Sequence, residues 1–235
     1  MERLPEQAPK TMGRQRETVE QRKLRAARIV RAMKKLYPSA TTALRHDSVL
    51  ELLIATILSA QCTDERVNQV TPDLFKRYRT ARDYAAASQA ELEKQIQSTG
   101  FFRQKAKSIR AACQAIDEQF DGEVPDTMEH LLQLRGVARK TANVVLGTWF
   151  GKNEGVCVDT HVGRLAERLG LTWNGRNSKD ATRIEADLMQ ILPRRQWAFV
   201  SHALILHGRS ICTARKPKCE ACKLAKDCPA AFTFE

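Results

Sequence analysis

Four cysteines, Cys212, Cys219, Cys222 and Cys228, crowd one short segment near the end of the chain in the spacing C-x6-C-x2-C-x5-C. So tight a group constrains the local fold more than any other feature, because four thiols so close must be joined to one another or to a common ligand. The other three, Cys62, Cys113 and Cys157, are scattered among apolar or helical sequence and are expected to be buried, reduced thiols. No stretch approaches the roughly 18 apolar residues that a membrane helix requires, and the start lacks the apolar core of a signal peptide. The expected location is therefore cytoplasmic, without membrane association. In a reducing compartment, metal ligation explains the group better than disulfides do. Four thiolates suit either tetrahedral zinc or a [4Fe–4S] cluster. Zinc sites more often pair two close-spaced knuckles, and only Cys219-x-x-Cys222 has that form, so the spacing leans to iron–sulfur. Arg215, Lys216, Lys218, Lys223 and Lys226 lie between the cysteines, where a metal-fixed loop would present cations to phosphates.

Charge points the same way. The chain holds 39 Lys plus Arg against 27 Asp plus Glu, a net +12 that attracts polyanions and makes nucleic acid the leading partner class. Net charge constrains partners, not fold, so the fold class comes from periodicity. Leu24, Ala27, Val30, Met33 and Tyr37 recur at helical spacing in a helix beginning at Lys23 and ended by Pro38. Ser48-x-x-Glu51 and Ser88-x-x-Glu91 are capping boxes, and Thr71-Pro72 reads as an N-cap followed by proline at a first helical position. Gly100, Gly122, Gly151 and Gly170 follow helical segments. Alternating strand patterns are absent. The expectation is an all-α protein of about ten short helices, with residues 1–22 a flexible tail.

Leu131-Leu132-Gln133-Leu134-Arg135-Gly136-Val137-Ala138-Arg139-Lys140-Thr141-Ala142 places a tight turn between two short amphipathic helices. Backbone amides at the positive start of the second helix can hold a phosphate without any side chain. The plain alternative is an ordinary helix–helix connection. Lys140 falls in the first turn of the second helix beside Arg139, where the dipole and the neighbouring cation disfavour an ammonium. A neutral lysine amine forms Schiff bases with carbonyl-type carbons, such as the C1′ of a nucleotide sugar. Asp159, in Val156-Cys157-Val158-Asp159-Thr160-His161-Val162, follows an apolar run and precedes another helix. It is a natural N-cap, and in the same place its carboxylate can stabilise an oxocarbenium-like centre. His161 can contact phosphate or pack.

At these residues the chain resembles the endonuclease III family of helix-hairpin-helix DNA glycosylases. The likeness runs from about Leu24 to Cys228. It includes Leu58-Ser59-Ala60-Gln61-Cys62-Thr63-Asp64, Gly122-Glu123-Val124-Pro125, Arg139-Lys140-Thr141-Ala142-Asn143, Val158-Asp159-Thr160-His161, Leu206-His207-Gly208-Arg209 and the cysteine spacing. It implies two helical domains: a six-helix domain over 42–152, and a second domain joining the first helix, 23–41, to residues 153–235 with a [4Fe–4S] loop. It implies that Lys140 is the nucleophile and Asp159 the essential acid. Gln61 would fill the space left by a base rotated out of the duplex, and Phe101 would be the wedge on the opposite loop. Arg135, Gly136, Val137, Ala138, Arg139 and His161 would contact DNA.

The implied enzyme is a bifunctional DNA glycosylase and AP lyase of base excision repair. It would act as a monomer on duplex DNA bearing oxidised pyrimidines or abasic sites. Two departures stand out. The family usually has Leu-Pro-Gly-Val-Gly where this chain has Leu134-Arg135-Gly136-Val137-Ala138, and an alanine at a positive φ would weaken the phosphate grip. An adenine-specific relative would carry a glutamate where this chain has Thr56, and a non-catalytic DNA-binding module would not need Lys140 with Asp159.

Overall fold

A computed structural model describes residues 17–173 and 179–234. Eleven α-helices and no strand occur among the described residues: α1 (Val19–Leu36), α2 (Val49–Leu58), α3 (Asp64–Arg77), α4 (Ala81–Ala86), α5 (Gln89–Ile96), α6 (Phe102–Gln119), α7 (Met128–Gln133), α8 (Arg139–Thr148), α9 (Thr160–Arg168), α10 (Ala181–Ile191) and α11 (Trp197–Ser210).

They enclose two hydrophobic cores. The first gathers Leu52, Leu53, Ile54 and Leu58 of α2, Ile109 and Cys113 of α6 and Leu146 of α8. From Leu52 to Leu58 every residue of α2 is buried, so this helix is apolar on all faces and the others pack around it. The second joins the two ends of the chain. Ala26, Ile29 and Met33 of α1 meet Val162 and Leu165 of α9, Ile184 and Leu188 of α10, Ala203 and Leu204 of α11, and Leu224 near the last cysteines.

Several local expectations need correction. The first helix begins at Val19, because Thr18 and Gln21 form a reciprocal capping box. Residues 17–22 therefore belong to a capped helix and its entry, and residues 1–16 of the expected tail lie outside the described residues. The buried face of α1 is Ala26, Ile29, Val30 and Met33, whereas Leu24 is 65% exposed. The Ser48 box is half formed: Ser48 accepts the Glu51 amide, but the Glu51 carboxylate takes the Asp47 amide at 2.6 Å. Ser88 makes no side-chain cap.

Thr71-Pro72 lies inside α3, which starts earlier with Thr63 accepting the Arg66 amide at 3.2 Å. An interior proline costs about 3 kcal/mol. Burying Val67 and Leu74 returns about 1.5–3 kcal/mol each, so the helix continues through it.

Candidate active site

The segment between α7 and α8 is a helix-hairpin-helix built on one tight turn. The Val137 amide donates to the Leu134 carbonyl at 3.1 Å, and Gly136 has φ +83° at the third position. That is the left-handed value a type II turn requires there. A Cβ on Gly136 would lie 2.7 Å from Cβ of Ser108 in α6, so glycine is demanded twice, by conformation and by packing. Ala138 has φ −91° and ψ 169°, extended backbone that alanine adopts freely. The expected strain at Ala138 is absent, because the positive φ falls on Gly136. As N-cap of α8, Ala138 has no side-chain acceptor, which leaves first-turn amides of an exposed helix start without a side-chain cap. Arg135 is exposed and Val137 buried beneath the turn.

Lys140 is exposed in the first turn of α8. Its neighbour Arg139 is not the free cation expected beside it. The Arg139 guanidinium donates to Glu185 of α10, Nε to Oε2 at 3.1 Å, and to the Glu154 carbonyl at 3.3 Å. Asn143 donates to Oε1 of the same carboxylate at 3.1 Å. Gly155 passes so close that a Cβ there would fall 2.6 Å from Asn143 Nδ2. Arg139 thus ties the hairpin to the second core.

Asp159 is the N-cap of α9. Its Oδ1 accepts both the His161 and the Val162 amides at 2.8 Å. The segment before it is held by the Cys157 amide donating to Ser201 Oγ of α11 at 2.9 Å. Burial pushes the Cys157 thiol up to about 12, with Lys140 lowering and Asp159 raising it, so both charges bear on this sulfur. His161 packs against Gly208 and lies within hydrogen-bond distance of Arg164, Nδ1 to Nη2 at 3.1 Å. Burial lowers its pKa, which favours the neutral ring.

Lys140 and Asp159 open into one cavity of about 290 Å³ between the two cores, lined also by Gln61, Thr56, Cys157 and His202. Across it, Arg209 of α11 pairs with Asp64 of α3 at 2.9 Å. Asp64 and Arg209 each end a segment that carries the resemblance, but no local signal relates them to each other or to His202, because they lie far apart in the chain. Thr56 donates to the Leu52 carbonyl at 2.7 Å and puts no carboxylate in the cavity. Gln61 lies on the cavity rim with φ +52°, and Phe101 lies on another turn with φ +48° and 65% exposure. Neither is core packing. Left-handed backbone at these two non-glycine residues is strained, as it is at Asp121 and Phe232 elsewhere in the chain.

Cys212, Cys219, Cys222 and Cys228 line one pocket with His207, Arg168 and Phe234. Arg168 donates to Cys212 Sγ at 3.3 Å, and His207 Nε2 lies 3.4 Å from Cys222 Sγ while its Nδ1 meets the Tyr37 hydroxyl at 2.9 Å. Arg28 pairs with Asp227 at 2.8 Å, and Arg25 is bonded to the Leu169 and Asp227 carbonyls, so α1 anchors the loop. Among the described residues no three of these groups converge as ligands of a single metal ion. Four cysteine thiols lining one pocket are a donor set that fits an iron–sulfur cluster. No described helix is long and apolar enough to cross a membrane.

Residues 54–194 match the HhH-GPD superfamily of base excision DNA repair proteins, and residues 212–228 match the iron-sulfur binding domain of endonuclease III. The cofactor is accordingly a [4Fe–4S] cluster. Endonuclease III of Synechocystis sp. is 56% identical over 210 residues, 89% of this chain and 94% of the relative. That of Bacillus subtilis is 42% identical over 193 residues, 82% and 86% of the two chains. The structure of a trapped endonuclease III–DNA covalent intermediate superposes with a TM-score of 0.82 at 40% identity, covering 90% of this chain and 97% of that one. A thermostable thymine-DNA glycosylase shares the fold, with a TM-score of 0.78 at 21% identity over 89% and 98% of the chains. With residues 54–194 and 212–228 matched by these family models and a relative 56% identical over most of both chains, the chain belongs to the endonuclease III family of helix-hairpin-helix base excision repair proteins.

Proposed function

We propose that this protein is a base excision repair DNA glycosylase with AP lyase activity, acting on oxidised pyrimidines and abasic sites in duplex DNA as a monomer. The observation that carries it is the shared cavity of Lys140 and Asp159, at the head of a hairpin with uncapped amides. Those amides and Arg135 suit phosphate, and the damaged nucleotide enters the cavity by rotating out of the stack.

Lys140 Nζ attacks C1′ as the base leaves with the glycosidic electron pair and takes up a proton. Asp159, held by its cap, stabilises the positive charge that develops on the sugar and assists loss of the lysine proton. Ring opening gives a Schiff base between Nζ and C1′. A base removes a C2′ proton, the C2′–C3′ double bond forms, and the 3′ phosphate leaves; water then releases the lysine. Cys212, Cys219, Cys222 and Cys228 would hold the cluster, which when bound fixes a loop of cations toward the DNA backbone.

A non-catalytic DNA-binding module would not require the cavity, and an adenine-specific enzyme would require a carboxylate at Thr56. The test is borohydride reduction during incubation with an abasic or oxidised-pyrimidine duplex. A covalent protein–DNA adduct is expected from the unaltered protein and none from Lys140→Gln. An adduct that survives Lys140→Gln assigns the Schiff base to another amine.

A further inference from the structure

Lys105 of α6 is 5% exposed, yet its ammonium has no carboxylate partner among the described residues. Nζ donates instead to two backbone carbonyls, Leu58 O and Thr99 O, each at 2.8 Å. Leu58 is the last residue of α2, three residues before Gln61, and Thr99 ends a 3-10 turn, two residues before Phe101. The Lys105 amide also donates to the Phe101 carbonyl at 3.0 Å. One residue therefore grips the backbone beside the left-handed turns at Gln61 and Phe101, and its cation sits at the negative end of the α2 dipole.

A buried cation with only neutral acceptors is an expensive way to fill space; methionine fits the same volume without desolvating a charge. Two strained turns persist only where their surroundings over-determine them.

We propose that Lys105 is a positioning residue that couples the two loops, holding the Gln61 and Phe101 turns at a fixed separation so that both enter the duplex together. The proposal rests on the assignment of Gln61 and Phe101 as the residues that occupy the vacated base stack. Burial lowers the Lys105 pKa, with Cys62 opposing, but the ammonium and the neutral amine both retain enough N–H donors for two carbonyls. The tether therefore persists in either protonation state.

The experiment is a mutant cycle on the full chain with its cluster, read by single-turnover excision and by fluorescence of 2-aminopurine placed opposite the lesion. Lys105→Met is expected to slow excision and weaken the fluorescence change by about ten- to a hundredfold, the scale of a wedge misplaced by an ångström. In a Gln61→Ala, Phe101→Ala background the same substitution should change the rate less than about twofold, since there is nothing left to position. If Lys105→Met does not fold, Lys105→Gln, whose amide keeps two N–H donors at shorter reach, is expected to give a smaller loss that vanishes in the same background. An equal loss in both backgrounds, or no loss with the wedges intact, overturns the coupling. Unchanged fluorescence in the Gln61→Ala and Phe101→Ala variants overturns the wedge assignment, and the coupling with it.

Discussion

Lys140 and Asp159 line the same cavity without forming an ion pair with each other, and Asp159 directs Oδ1 to the first amides of α9. The cap fixes the carboxylate at the wall of the cavity that Lys140 also lines. Asp159→Asn can still cap, so a folded protein with unaltered Tm is expected. Single-turnover excision should fall by about 10²- to 10³-fold, the scale of losing one preorganised electrostatic partner. Near-normal excision by the asparagine variant would reduce Asp159 to a cap.

Arg135 stands at the second position of a turn whose Leu134 is already in the extended conformation that precedes proline, φ −74° and ψ 130°. Arg135→Pro should therefore raise stability by about 0.4–1 kcal/mol through the unfolded state. If the Arg135 guanidinium meets phosphate, the log–log salt dependence of duplex binding should flatten by about 0.9. Chemical denaturation and binding isotherms at several salt concentrations check both. Ala138→Gly, at an ordinary φ, should not tighten binding.

Gly136→Ala should lower stability by about 1–3 kcal/mol, since it places a side chain at φ +83° and 2.7 Å from Ser108 Cβ. Combining it with Ser108→Gly should recover only the steric part. Full recovery in thermal denaturation would show that backbone strain contributes nothing there.

Burial pushes the thiols of Cys113 and Cys157 up to about 12. Native alkylation at pH 8 should leave both unmodified, because the thiolate is negligible and access is closed. Peptide mass spectrometry after a short iodoacetamide pulse reads this directly. Labelling of Cys157 before global unfolding would show that its burial beside the cavity is transiently lost.

Purified protein should be yellow-brown with about four irons per chain, as one cubane requires. Zinc at one per chain in anaerobically purified protein would contradict the cofactor. Cys219→Ser should lower iron content and duplex affinity more than it lowers single-turnover excision at saturating DNA, since Lys140 lies in a different cavity from the cysteines.

Features set within a few residues were legible in the sequence. The helical class followed from apolar spacing of three and four and the cysteine loop from its spacing, whereas the single glycine between two amphipathic segments fitted an ordinary helix–helix connection equally well until the resemblance decided for a hairpin. Lys140 and Asp159 were each weak alone and became persuasive together through resemblance. Even local readings failed where two signals competed: Thr71-Pro72 resembles a helix start, but Thr63 with Asp64 and Glu65 caps α3 earlier and packing carries the helix through the proline.

What only the tertiary structure decided depends on residues distant in the chain. Arg139 was legible as a cation, but its commitment to Glu185 needed α10 folded against α8. The Arg209–Asp64 pair needed α11 beside α3, and the grip of Lys105 on Leu58 and Thr99 needed α6 lying under both turns. The backbone at Ala138 was likewise settled only in the fold, where the turn closes at Val137 with Gly136 taking the positive φ and Ala138 is extended. Propensity and spacing act over a few residues and so can be read along the chain, whereas ion pairs, buried cations and strained turns answer to neighbours that only chain folding brings within reach.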